Sequence, residues 1–116
     1  MICADTDEEA QRLRLSRDFS IAKRYSGLGG GPYPTVAEAQ AHVWTSHQLS
    51  IVEYNKNRAI AGTPEAVRAQ LLELADLYEA DELVVVTITE DEQSRLRSYE
   101  LLAEAFELPR RPETRD

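Results

Sequence analysis

The alternation of apolar and polar positions divides this chain into helix-like stripes and a few short strand-like runs. Residues 83–88, LVVVTI, form an almost unbroken apolar, β-branched run bounded by acidic residues. That pattern predicts a strand covered on both faces inside a parallel sheet. Two weaker strand candidates lie at 2–4 and 58–61. Val67, Leu71, Leu74 and Tyr78 recur at helical spacing, as do Leu96, Tyr99, Ala103 and Phe106, so each set predicts a helix with one apolar stripe turned to a sheet. Less regular patterns predict helices over 7–24, 36–42 and 46–56.

Cap chemistry marks where those helices start. A Thr followed three residues later by Glu or Gln can close a capping box. Thr6 with Glu9, Thr35 with Glu38, Thr45 with Gln48 and Thr89 with Glu92 all fit. Thr63 precedes Pro64, a pairing suited to an N-cap and a first helical position whose missing N–H costs nothing. Strand, capped helix, strand and helix from 58 onward form a β-α-β-α unit, which should be parallel with a right-handed crossover. Upstream, ICADTDEEAQRL reads as a third strand feeding a helix. Four of the five glycines and two of the five prolines fall in YSGLGGGPYPT, so 26–35 is expected to be a flexible surface loop. The last residues, 108–116, read as a polar tail.

Composition narrows the function classes. A chain of 116 residues with 42% hydrophobic content suits a single domain with a modest core. A net charge of −8 leaves no basic surface of the kind a phosphate backbone requires, so nucleic acid is not an expected partner. Cys3 is the single cysteine, which fits a reducing compartment and rules out an intrachain disulfide. No apolar run approaches the length of a membrane span and the first residues do not look like a leader, so the chain is expected to be cytoplasmic.

Individual chemistry is sparse. His42 and His47 stand five apart, one more than would align two ligands on a helical face, and no metal site is expected. Cys3 sits in an apolar strand without a basic neighbour to activate it, so it reads as a core residue. The acidic runs DTDEE and EDE sit at helix starts, where the helix dipole accounts for them. The glycines of 26–35 lack a preceding strand and a following GK[ST], which argues against a phosphate loop. Trp44 and Tyr54 are expected to anchor a helix to the sheet, or to wall a pocket.

The strand followed by GTPEAV, then ADELVVVTIT, then an acidic helix start leading into RLRSYELLAEAF, resembles the C-terminal end of the bacterial-luciferase-like, flavin-dependent monooxygenases. The match covers about the last half of the chain, and more weakly the first half through ADTDEEA. That resemblance implies an α/β fold, the C-terminal part of a (β/α)8 TIM-type barrel, with about three parallel strands at 2–4, 58–61 and 83–88 and the missing strands upstream. It further implies an oxidoreductase that binds FMN or a deazaflavin and acts on a small organic substrate, with this chain inactive by itself and binding no cofactor alone. Sites in such barrels lie at the carboxyl ends of strands, which here carry Gly62, Thr87 and Thr89 as candidate cofactor contacts; no catalytic residue is assigned. Each has a bland explanation: Thr89 as a helix cap, Thr87 as an ordinary strand residue, Gly62 as a turn. The alternative is an α/β interaction module, a homo-oligomer formed through open sheet edges or apolar helix faces.

Overall fold

The computed structural model describes residues 1–27, 29 and 31–109. Five helices run in the order α1 (Asp7–Tyr25), α2 (Val36–Ala41), α3 (Ser46–Asn55), α4 (Pro64–Leu77) and α5 (Glu92–Ala105). A single pair of two-residue strands, β1 (Ile2–Cys3) and β2 (Ala61–Gly62), lies among them. The strands are parallel, with Ile2 opposite Ala61 and Cys3 opposite Gly62. A turn of 3-10 helix over Lys56–Arg58 occupies the start of the span expected as a strand, and pairing begins where Ile2 donates to the Ile60 carbonyl at 2.8 Å.

Four of the five helix starts follow the cap chemistry. Thr6 Oγ1 accepts from the Glu9 N–H, and Thr63 Oγ1 accepts from the Ala66 N–H behind Pro64. Thr35 with Glu38 and Thr45 with Gln48 close complete boxes. The fifth differs. Asp91, not Thr89, is the N-cap of α5 and accepts from the Ser94 N–H at 2.9 Å. A carboxylate two residues further on outcompetes the hydroxyl because its hydrogen bond to the backbone is charge-assisted.

Strand β1 sits between two layers. Ile2 and Ala4 point to Ala10 and Leu13 of α1. Cys3 points the other way, to Val67 and Leu71 of α4 and Leu101 and Leu102 of α5. This is the period-two alternation of a strand buried on both faces. The ladder alternates as well. Ile2 and Ala4 donate toward β2, at 2.8 and 3.1 Å, so the N–H and C=O of Cys3 face away from it. Both are taken by one side chain: Cys3 donates to Ser98 Oγ at 3.0 Å, and Ser98 Oγ donates to the Cys3 carbonyl at 2.8 Å. Ser98 is fully buried.

The barrel expectation is corrected at this point. A third parallel strand at 83–88 does not form; the segment is extended without a ladder. The second edge of β1 is already occupied by Ser98. The segment is held instead by Tyr99, whose hydroxyl accepts from the Thr87 N–H at 3.0 Å, and by Met1, whose ammonium donates to the Val86 carbonyl at 2.8 Å. The described residues form a helix-dominated domain around a two-stranded sheet, not three strands of a (β/α)8 barrel.

The helical stripes are partly displaced from those read in the sequence. On α4, Val67 and Leu71 are buried, whereas Tyr78 is exposed. On α5 the buried positions are Ser98, Leu101 and Leu102, and Leu96 lies on the open side. Trp44 anchors helices to one another rather than to the sheet: its ring lies 5.6 Å from that of Phe19 on α1, and His42 lies 4.4 Å from the same ring. Tyr54 is exposed, with the Arg58 guanidinium 5.7 Å from its ring centroid. Helices α4 and α5 end on Glu79 and Glu107 with φ of 49° and 55°. In each, two closing bonds, such as Ala80 to the Ala75 carbonyl and Glu79 to the Asp76 carbonyl, complete a Schellman-type turn.

Two stability outcomes follow. Ser98→Ala leaves two buried backbone groups without a partner and should lower stability by about 1–3 kcal/mol, read as a lower denaturant midpoint at unchanged slope. Glu79→Gly removes a left-handed strain and should raise the midpoint by the equivalent of about 0.5–1 kcal/mol. An unchanged midpoint in Ser98→Ala would show that the clamp carries no stability.

Candidate functional site

Parallel α/β units place open chemistry at the carboxyl ends of their strands. In this chain β1 runs directly into Asp5 and the start of α1, and the N-terminus of α5 arrives beside it. Between them lies a crevice of 240 Å³ lined by Cys3, Ala4, Asp5, Glu9, Asp91, Ser94 and Arg97, among others. Arg97 on α5 grips Asp5 with two hydrogen bonds, Nε to Oδ2 at 3.2 Å and Nη2 to Oδ1 at 2.8 Å, and also pairs with Glu100. Arg12 grips Glu9 in the same way, at 2.9 and 2.7 Å, and approaches Glu90 at 3.6 Å. Glu90 in turn accepts from the Val36 N–H at 2.8 Å, capping α2 from 54 residues away. Two arginines and four carboxylates therefore lace α1, α2 and α5 together over the end of β1.

Each carboxylate at the crevice is already committed. The Arg97 hydrogen bonds hold Asp5 below the usual carboxylate range, those of Arg12 do the same for Glu9, and the Ser94 hydrogen bonds do so for Asp91. None is poised near neutrality as a general acid. Burial, with Asp5 adding to it, pushes the Cys3 thiol up to about 11, which keeps it protonated and unreactive at neutral pH. Among the described residues, no group of three or more His, Cys, Asp or Glu side chains is arranged to hold a metal ion. The arrangement clamps helices and leaves no free nucleophile or base.

Of the residues singled out in the sequence, Cys3 lines this crevice, whereas the candidate cofactor contacts Gly62, Thr87 and Thr89 and both histidines lie apart from its walls. Thr87 is buried, and its Oγ1 has no hydrogen-bond partner. Thr89 Oγ1 donates to the Asp91 carbonyl at 2.5 Å, tightening the turn into α5. Gly62 packs on α4, and a Cβ there would meet Ala66 at 3.4 Å and Asp7 at 3.9 Å, ordinary contacts that do not demand glycine. Fitted against a flavin, these three offer one orphan hydroxyl, one hydroxyl already spent on a turn, and a glycine facing its own helix, which does not make a cofactor cradle. His42 is bound to Gln48 Oε1 at 2.8 Å, while His47 lines a separate crevice with Tyr54 and Arg58.

Ser98, Arg97 and Glu90 escaped the sequence reading. A serine scores as polar in any hydrophobic periodicity, yet Ser98, Leu101 and Leu102 are themselves spaced as one helical face. Partners 92 and 54 residues apart leave no local signal for the two arginine and glutamate contacts.

Comparison with known proteins adds relatives but no activity. No family model matches the chain. It is 40% identical over 106 residues to the uncharacterized protein YceB of Bacillus subtilis (strain 168), covering 91% of this chain and 32% of that protein. YwcH and YvbT of the same organism, also uncharacterized, are 37% and 30% identical over similar spans. The crystal structure of apo-MsnO8 superposes with a TM-score of 0.75 at 33% identity, covering 95% of this chain and 34% of that one. The chain thus spans about a third of the length of the curated relatives it matches. Its fold is shared with part of a larger solved protein, a likeness compatible with an enzyme-like architecture that assigns no reaction.

The luciferase-like kinship is corrected accordingly. No family model supports it, the relatives' names carry neither luciferase nor flavin chemistry, and the sheet has two strands where the resemblance called for three. The assignment as the end piece of a flavin-dependent monooxygenase falls with it. None of the described helices is long and apolar enough to cross a membrane.

The clasp makes a titration outcome specific. Asp5 should titrate below the ordinary carboxylate range by NMR, and Arg97→Gln should return it upward. A carboxyl depressed by folding contributes its stability above its unfolded pKa of about 3.9 and loses it as pH falls through the folded value. The acid limb of the stability profile should therefore flatten in Arg97→Gln. An Asp5 pKa unmoved by that substitution would show that the pair does not persist in solution.

Proposed function

We propose that this chain acts as an association unit, joined to another polypeptide through the apolar face around 83–88. The observation that carries this is the exposure of that face. Val84, Val86 and Ile88 are 82%, 65% and 58% exposed on one side of an extended segment that forms no ladder. On the opposite side of the same segment an apolar groove of 660 Å³ runs between α4 and α5, walled by Leu71, Leu72, Val85, Leu102 and Phe106 among others. Extended backbone with unpaired groups and an apolar flank is the ordinary material of strand addition and of oligomer interfaces.

For the isolated chain the occupant is a second copy. Segment 83–88 is close to uniform in character, so it can face itself about a two-fold axis. Antiparallel pairing about Val86 would set Glu82 opposite Glu90 and Asp81 opposite Asp91, so like charges oppose the contact and salt should strengthen it. The relatives favour a second reading. They are about three times longer, so in a longer chain the same face would be covered by further polypeptide. A single buried cysteine suits a reducing, cytoplasmic setting for either.

Sedimentation over a range of concentrations and salt tests this. Dimerisation that strengthens with salt and is abolished by Val86→Lys, whose site is exposed in the monomer, is the expected result. A monomer at every concentration and salt would overturn the second copy as occupant. Val86→Lys associating like the parent chain would overturn the assignment of the face itself.

A further inference from the structure

The C-terminal half of α1 carries a concentration of positive charge that the clasp at its other end does not explain. Two adjoining crevices of 330 and 210 Å³ share Ser20, Arg24 and Tyr33 as walls; the first also takes in Lys23 and the second Arg17. Arg17, Ser20 and Arg24 fall at helical spacing on one face. Arg17 lies 3.5 Å from Asp18, whereas Lys23 and Arg24 make no ion pair among the described residues. In a chain of net charge −8 this is a local reversal of sign.

A second observation points into the same place. The Tyr33 hydroxyl is buried and has no hydrogen-bond partner among the described residues. Burial pushes it up to about 12, so at neutral pH it keeps its proton and has a hydrogen to donate to an acceptor. A donor buried without a partner is costly, and a ligand that accepts from it removes that cost. The carbonyl end of α1, Asp18 and Glu90 all oppose an anion here, set against the three positive charges of Arg17, Lys23 and Arg24.

We infer that the crevice lined by Lys23, Arg24 and Tyr33, with Arg17 on the wall of the adjoining one, binds an oxyanion of the phosphate class, the guanidinium of Arg24 and the Lys23 ammonium neutralising it and the Tyr33 hydroxyl donating a hydrogen bond. Cationic side chains of the helix and one phenol supply the recognition, with no resemblance to a glycine-rich phosphate loop.

The test is titration of the purified chain with inorganic phosphate and with pyrophosphate, followed by backbone amide NMR at constant ionic strength set with chloride. Saturable shifts confined to residues around Ser20, Arg24 and Tyr33 are expected. Arg24→Gln, at an exposed position, together with Lys23→Gln, at a half-buried one where the ammonium lies 5.4 Å over the Phe19 ring, should weaken binding about tenfold or more. Tyr33→Phe should weaken it by a smaller factor while leaving the rest of the spectrum in place. Shifts that never saturate, that chloride reproduces, or that survive the double substitution would overturn the site.

Discussion

One serine hydroxyl determines where everything on one side of β1 can go. A two-residue strand has too few ladder bonds to hold a sheet together, and the edge turned from β2 exposes the N–H and C=O of Cys3 to whatever lies beside it. Ser98 Oγ satisfies both, donating to one and accepting from the other, as a neighbouring strand's backbone would. Because a serine side chain is short, α5 must approach closely, and that approach puts Leu101 and Leu102 against Cys3, Val67 and Leu71. The displacement of 83–88 from the sheet, and so the exposure of Val84, Val86 and Ile88, follows from the same occupation of the edge.

Helix α1 organises the opposite layer by its polarity. Its first turn carries Asp7, Glu8 and Glu9, and its last carries Lys23 and Arg24, the arrangement that the helix dipole favours at each end. At the acidic end, long-range pairs with Arg97 and Glu90 turn that preference into a lock between α1, α2 and α5. Those pairs are exposed or half-exposed, so they set geometry more than stability. At the basic end the Lys23 ammonium lies 5.4 Å over the Phe19 ring, and neither Lys23 nor Arg24 makes an ion pair among the described residues. The two ends of one helix thus differ in how far their charges are paired.

What could be read from residues alone was what is encoded locally. Thr35 with Glu38 and Thr45 with Gln48 marked their helices correctly because a capping box is a three-residue interaction, complete within the segment. Residues 83–88 misled because a six-residue apolar run looks the same whether neighbours cover it or not; burial depends on the other edge of β1, and that edge was settled by a serine ten residues further along. The strand that is buried on both faces proved to be the shorter one at Ile2–Cys3. The family resemblance leaned on the same segment as a barrel strand, so it shared the same weakness.

An uncovered apolar segment also constrains what the domain can be in solution. Burying valine or isoleucine side chains contributes about 1.5–3 kcal/mol each when they leave water completely. Three such residues on one exposed side therefore represent a stabilisation larger than the Ser98 clamp can supply, unrealised while the chain is alone. The relatives match this chain within polypeptides about three times as long, and the MsnO8 fold matches it over a third of its own length. An exposed apolar surface of this character has the composition of a contact, which is the ground of the association proposed above. Since the gain on covering it rises with the concentration of the covering partner, the observed stability of the isolated chain should depend on concentration, whereas a finished exterior would give a stability independent of it.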